Sequence, residues 1–239
     1  MKNTQVYKWI KNNLLQPCLL CLSATEAQHD GICHACLTDL PWQQGCCERC
    51  ALPLPHSSSL CGRCLKSPPA FCRAVVPMLY RFPLDALIPA FKYHRHNRYG
   101  WLLAQLLAEH LQQQLAEPEA LIPDLLLPVP MHPRRQAQRG YNQAFELARD
   151  LAKTLELPCR ADLLQRVRQT TAQEGLDAAA RRRNLRGAFT CPKPEQLEGQ
   201  HLALIDDVMT TGATLNEASR TLLAAGAASV QVWCVARTP

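Results

Sequence analysis

Residues 202–214 read Leu-Ala-Leu-Ile-Asp-Asp-Val-Met-Thr-Thr-Gly-Ala-Thr, and the fold is decided by how this stretch is read. An apolar run suited to a buried parallel strand ends in two adjacent carboxylates, Asp206 and Asp207. A hydroxyl-rich loop with one glycine follows. Leu215, Ala218, Leu222 and Ala225 then fall on one helical face. Thr214 and Glu217 stand at capping-box spacing, so Thr214 serves either as helix cap or as a phosphate contact. Gly226 supplies a stop, and residues 229–235 are apolar and β-branched enough for the next parallel strand. Strand, helix and strand make a βαβ unit, whose ligands bind at the carboxyl ends of the strands. Two carboxylates at that edge can accept hydrogen bonds from two ribose hydroxyls. The N–H groups and hydroxyls of Val208, Met209, Thr210, Thr211, Gly212, Ala213 and Thr214 can wrap a phosphate at the positive end of the helix. An ordinary strand–turn–helix would leave the paired carboxylates and the hydroxyl-rich loop without a reason.

At 239 residues and 47% hydrophobic composition, the chain can build one large domain or two smaller ones. No apolar run reaches the roughly 18 residues of a membrane span. Residues 1–15 carry Lys2, Lys8 and Lys11 and lack the apolar centre of a secretory signal, which points to the cytoplasm. Val6, Trp9, Ile10 and Leu14 predict a short amphipathic helix there. The net charge of +6 is local: residues 130–190 hold 12 Arg and Lys against 6 Asp and Glu, and the remainder is balanced at 14 against 14. Such a stretch attracts a polyphosphate or a nucleic acid.

Eight of the 13 cysteines form four C-x-x-C pairs, Cys18/Cys21, Cys33/Cys36, Cys47/Cys50 and Cys61/Cys64. Two such knuckles complete one tetrahedral metal site, so four predict two structural Cys-only zinc sites. Sequential pairing puts Cys18, Cys21, Cys33 and Cys36 at one site and Cys47, Cys50, Cys61 and Cys64 at the other; a crossed pairing fits the spacing too. Spacing alone does not separate zinc from an iron–sulfur cluster. Disulfides need an oxidising compartment that nothing here indicates. His34 is a spare ligand, and Cys46 reads as a bystander. The Pro68-Pro69 linker places a boundary near residue 70, giving a double zinc ribbon at 1–70 and a second domain at 71–239.

In the second domain, residues 75–80 and 125–129 read as strands, and residues 98–116 and 141–155 as helices. Alternation of this kind predicts an α/β fold with a mainly parallel sheet flanked by helices. The 202–214 stretch resembles the phosphoribosyl-pyrophosphate (PRPP) signature of type I phosphoribosyltransferases. The four knuckles, residues 130–144 (Pro-Met-His-Pro-Arg-Arg-Gln-Ala-Gln-Arg-Gly-Tyr-Asn-Gln-Ala), Phe91-Lys92-Tyr93, the Gln173…Leu176…Arg181…Asn184-Leu185 segment and Gly187-Ala188-Phe189 stand in one order. Together they resemble the ComF/GntX family, in which a double zinc ribbon precedes a phosphoribosyltransferase domain and which is associated with uptake or utilisation of external DNA.

The resemblance implies PRPP bound with Mg²⁺ by Asp206 and Asp207, the 5′-phosphate in the 208–214 loop, and the pyrophosphate near Pro130. Arg134, Arg135 and Arg139 would then form a flap over it, where guanidinium groups bind oxygens two at a time. Val129–Pro130, an X-Pro bond, is the place for the cis peptide that such loops often carry, with trans the default. Catalytic roles fall on Asp206, Asp207, Arg135 and Arg139. One departure concerns position 210. Enzymes acting on 6-oxopurines commonly carry an acidic general base there, and this chain has Thr210. Two functions stay open: transfer of phosphoribose from PRPP to an acceptor, and a non-enzymatic PRPP sensor that binds single-stranded DNA or a protein of the DNA-uptake machinery. The run Phe91-Lys92-Tyr93-His94-Arg95-His96-Asn97-Arg98-Tyr99 mixes aromatic and basic groups, as a single-strand binder would, or as a surface turn would.

Overall fold

A computed structural model describes residues 17–25, 31–55, 60–94, 97–168 and 185–239. The N-terminal helix expected around Val6–Leu14, the Arg95-His96 pair and the Gln173–Asn184 segment lie outside the described residues. The chain divides into two compact units, Met1–Pro41 and Trp42–Pro239. The first contains helix α1 (His34–Thr38), which begins directly after Cys33 and includes Cys36, the other cysteine of the second knuckle. In the second, α2 (Gly62–Lys66) begins directly after Cys61 in the same way.

The sheet of the second unit is parallel throughout. Its strands are β1 (Arg73–Val75), β2 (Met78–Leu79), β3 (Leu125–Pro128), β6 (His201–Met209) and β7 (Ser229–Arg237), with β4 (Gln165–Arg166) and β5 (Phe189–Thr190) forming a separate antiparallel pair. The order is β1-β7-β6-β3, and β2 continues along β7 beyond β1. The single strand expected over residues 75–80 is thus two short ones. Pro77 separates them, since it has no N–H to give to a ladder.

Alternation along the strands gives the sheet two apolar faces. Leu202, Leu204, Val230, Val232 and Cys234 belong to one buried cluster with Leu215, Ala218 and Leu222 of helix α7 (Ala213–Ala224). The opposite parity, Ala203, Ile205 and Trp233, is equally buried. On that side lie α3 (Leu84–His94), α4 (Asn97–Leu115) and α6 (Gln143–Leu155). Helix α4 buries Leu102, Leu103, Leu106, Leu107 and Leu111, a stripe at helical spacing. Gly100 lets α3 and α4 meet closely, because a Cβ there would stand 2.4 Å from the Phe91 ring.

The boundary drawn from composition near residue 70 and the division at 41/42 differ for a definite reason. Cys47, Cys50, Cys61 and Cys64 are all buried in the same apolar cluster as Leu204, Met209 and Leu215. Gln43 extends this attachment: its N–H donates to the Pro77 carbonyl at 2.8 Å, and its side-chain amide to Val76 O at 2.7 Å. Among the described residues no helix is long and apolar enough to cross a membrane.

Candidate functional site

Each of the two cysteine sets gathers its four sulfurs within 4.8 Å of one another, in the sequential pairing: Cys18, Cys21, Cys33, Cys36, and Cys47, Cys50, Cys61, Cys64. All 13 cysteines are free. Cys21 and Cys33 sulfurs lie 3.6 Å apart, as do those of Cys50 and Cys61. That is far from a disulfide bond of about 2.05 Å. It is near the roughly 3.8 Å edge of a tetrahedron with 2.3 Å zinc–sulfur bonds. The Cys61 N–H donates to Cys47 Sγ at 3.2 Å and the Leu20 N–H to Cys18 Sγ at 3.5 Å, bonds that favour thiolates. Burial first, then the neighbouring thiols, push Cys36 and Cys64 far above the usual thiol range. A bound cation would relieve that crowding. Both tetrads therefore fit structural zinc, which would hold small segments poor in core residues. His34 and Cys46 belong to neither.

The acidic pair lies within β6, which continues two residues past it to Met209. Asp206 has the parity of Leu204 and Asp207 that of Ile205, so the two carboxylates belong to opposite faces of the sheet. Asp207 is buried, and Lys92 on α3 pairs with it, Nζ to Oδ2 at 2.9 Å. Asp206 is half-buried, and its Oδ1 accepts the Asp207 N–H at 2.9 Å. Burial first, then the Asp207 carboxylate, push the Asp206 carboxyl up to about 7; Lys92, the Asp207 N–H and Arg166 pull the other way. Arg166, on β4, stands with its guanidinium 5.7 Å from the Phe189 ring centre; burial first, then the Arg135 charge, lower its pKa, and the Asp206 carboxylate opposes them.

The loop after β6 is short. Gly212 takes φ +74° as the N-cap of α7, and a Cβ there would also come within 2.7 Å of the Met209 methyl. Among the described residues no N-cap side chain bonds the helix, and the Ala213 N–H donates to Thr211 Oγ1 at 3.3 Å. Thr214 is thus inside the first turn, and Glu217 instead accepts the Gly187 N–H at 2.8 Å. The capping-box reading is corrected, because a left-handed glycine already sets the helix entry. Thr210 is exposed; Thr211, Ala213, Thr214 and Val208 are half-buried, and Met209 is buried.

The stretch expected as a flap is a helix in part, α5 (Pro133–Arg139). Pro133 sits in its first turn, the His132 ring accepts the Arg134 N–H at 3.3 Å, and Gly140 ends it at φ +85°. The sequence carries this start and stop in His132-Pro133…Gly140. Arg134 and Arg135 are exposed. Arg139, half-buried, donates to Gln143 Oε1 at 3.0 Å, and Gln143 Nε2 reaches the Lys92 carbonyl at 3.5 Å. Asn142 closes the loop: it caps α6 through the Ala144 N–H and donates to the Val129 carbonyl, both at 3.1 Å. Val129–Pro130 is trans; among the described residues the cis bond is Phe82–Pro83.

Two further residues, Lys92 and Arg166, join the candidate site only in the tertiary structure; in the sequence Lys92 stands among aromatics and Arg166 in the diffuse basic stretch. Phe91 cannot stack on a base, being 1% exposed and packed against Tyr141, whose hydroxyl donates to the Phe91 carbonyl. No spacing rule joins Lys92 to Asp207, which lie far apart in sequence.

Fold and site define a class: a double zinc ribbon joined to a parallel-sheet domain of phosphoribosyltransferase type. Residues 14–65 match the double zinc ribbon domain and residues 142–239 the phosphoribosyl transferase domain. The chain is 38% identical to DNA utilization protein YhgH of Salmonella typhimurium, over 92% of this chain and 96% of that one. It is 37% identical to YhgH of Escherichia coli K12 over the same shares. Competence protein F of Haemophilus influenzae matches at 37% over 72% of this chain and 76% of its own. The chain belongs to the ComF/GntX family.

Proposed function

We propose that residues 206–214 bind PRPP with Mg²⁺, and that the chain transfers phosphoribose to an acceptor in the cytoplasm as part of the utilisation of external DNA. One observation carries this reading: two adjacent carboxylates near the end of a central parallel strand are followed by a short loop into a helix with a glycine N-cap, with Lys92 paired to Asp207 and Arg166 in the field of Asp206. The open amides of α7 suit a 5′-phosphate. Two carboxylates suit the ribose hydroxyls, and they suit a divalent cation, since a cation would draw the proton from Asp206. Mg²⁺, when bound, offsets the charge of the departing pyrophosphate. The chain's own groups do the rest. Lys92 holds Asp207 in place, and Arg166 stands ready as fixed positive charge in the field of Asp206. The names of the relatives support the link to DNA.

Calorimetric titration with PRPP tests the reading directly. Binding should be measurable and should weaken by at least about tenfold without Mg²⁺, the loss of roughly 1.4 kcal/mol or more. No binding in either condition, or identical binding in both, would sink it.

Arg135→Ala and Arg139→Ala should each weaken PRPP more than ribose 5-phosphate, because only PRPP carries pyrophosphate. The expected difference is about tenfold or more, from charged hydrogen bonds of about 1.5–3 kcal/mol. Equal losses for both ligands would place these arginines away from the pyrophosphate.

A second reading, a PRPP sensor that binds single-stranded DNA or a protein of the uptake machinery, draws on Thr210, which offers no general base. It predicts that PRPP and single-stranded DNA alter each other's affinity by the same factor, as linkage demands. Release of pyrophosphate on adding candidate acceptors favours the transferase instead.

A further inference from the structure

Arg237, the last residue of β7, is 2% exposed although it carries a full charge. Its Nε donates to the carbonyl of Cys50 at 3.3 Å, and its Nη1 donates to the carbonyl of Met209 at 3.1 Å and to that of Thr210. One guanidinium therefore joins a knuckle of the second cysteine tetrad to the first residues of the 208–214 loop. A second tie runs in parallel: the Ala70 N–H, just past that tetrad, donates to Asn216 Oδ1 on the first turns of α7 at 2.7 Å. Apolar packing agrees, since Met209, Leu215, Phe71 and the four cysteines share one buried cluster.

We propose that Arg237 is a positioning residue that clamps the phosphate loop to the second metal knuckle, so that this tetrad is a structural part of the ribose-phosphate site. Thr210 and the amides that follow it must be fixed before a ligand arrives, because a preformed cradle avoids the ordering cost on binding. A guanidinium serves where a lysine would not: its planar fork spans separate carbonyls that flank different elements. Burial of Arg237 without these acceptors would be unfavourable, so loop and knuckle hold each other. The ligand part of the inference rests on the PRPP reading; the mechanical part does not.

Arg237→Lys keeps the charge and loses the fork, and Arg237→Gln keeps a donor and loses the charge. The first measurement is amide hydrogen exchange. Exchange at residues 209–214 should quicken at least about tenfold in Arg237→Lys, with the remainder of β6 and β7 unchanged and two zinc ions retained. The second is binding of ribose 5-phosphate and of inorganic pyrophosphate with Mg²⁺. Ribose 5-phosphate should weaken about tenfold and pyrophosphate less than about twofold, because only the former uses the 208–214 loop. A general loss of structure would weaken both together. Arg237→Gln, with the greater loss, should rank below Arg237→Lys. Unchanged exchange at 209–214, or equal loss of the two ligands, overturns the clamp. Quickened exchange in a chain whose parent binds no ribose 5-phosphate supports the clamp and overturns the PRPP reading.

Discussion

Cys64→Ser should lower the melting temperature of the 42–239 unit by about 10 °C or more and remove one of two zinc equivalents. Cys36→Ser should remove the other equivalent and leave that transition within about 2 °C. The two cysteines hold matching places in their tetrads, yet their surroundings differ. Cys64 is 3% exposed inside the cluster that also holds Phe71, Leu204 and Leu215, whereas Cys36 is half-buried in the 1–41 unit. A structural zinc site stabilises its fold by several kcal/mol. For a unit of this size each kcal/mol shifts the midpoint by roughly 2–4 °C. Composition alone would have zinc removal unfold everything up to about residue 70 and spare the remainder. The packing of the second tetrad says otherwise. Equal shifts for the two variants, or none for either, would refute the assignment; metal analysis and calorimetric melting decide it.

Asp206→Asn and Asp207→Asn should move stability in opposite directions while both weaken PRPP by at least about tenfold, the loss of a charged hydrogen bond. Asp206 has a carboxyl raised from 3.8 to about 7 by burial and by Asp207. The folded chain therefore holds a proton there that the unfolded chain releases near pH 4. Stability from this group is full below pH 4 and is lost as pH rises through about 7. Asp206→Asn removes the penalty, so at pH 8 it should be about 1–2 kcal/mol more stable, a three-unit shift discounted for a carboxyl partly open to solvent. Its stability should also lose the fall between pH 4 and 7. Asp207→Asn instead leaves Lys92 without the partner that stood 2.9 Å away. With side chains only 8% and 25% exposed, the expected loss is about 1.5–3 kcal/mol. Denaturant unfolding at pH 5 and 8 reads both effects. A common sign for the two variants at pH 8 would show that the carboxylates do not have these separate environments.

What the sequence spells out directly is local. The run from Leu202 to Asp207, the break at Gly212 and the helical stripe Leu215, Ala218, Leu222 describe β6 and α7 because periodicity and turn chemistry act over a few residues. Gly226, at φ +98°, ends that helix as its place after Ala225 implies. C-x-x-C pairs are equally local: two thiols on one tight turn must point to one centre, whatever surrounds them. Local patterns failed where a better local alternative existed, as at Thr214, displaced from the cap by a left-handed glycine.

The linear chain determined, by itself, the parallel α/β core, the four knuckles and the acidic pair with the hydroxyl-rich loop that follows it. Tertiary structure alone decided which charges meet that pair and what the second tetrad belongs to. Lys92 reaches Asp207 because α3 packs on one face of the sheet, and the Cys47–Cys64 tetrad joins the core because the other face has apolar area left to cover beside α7. Neither outcome is written in spacing. Both depend on burial and charge pairing between segments that only the folded sheet brings together.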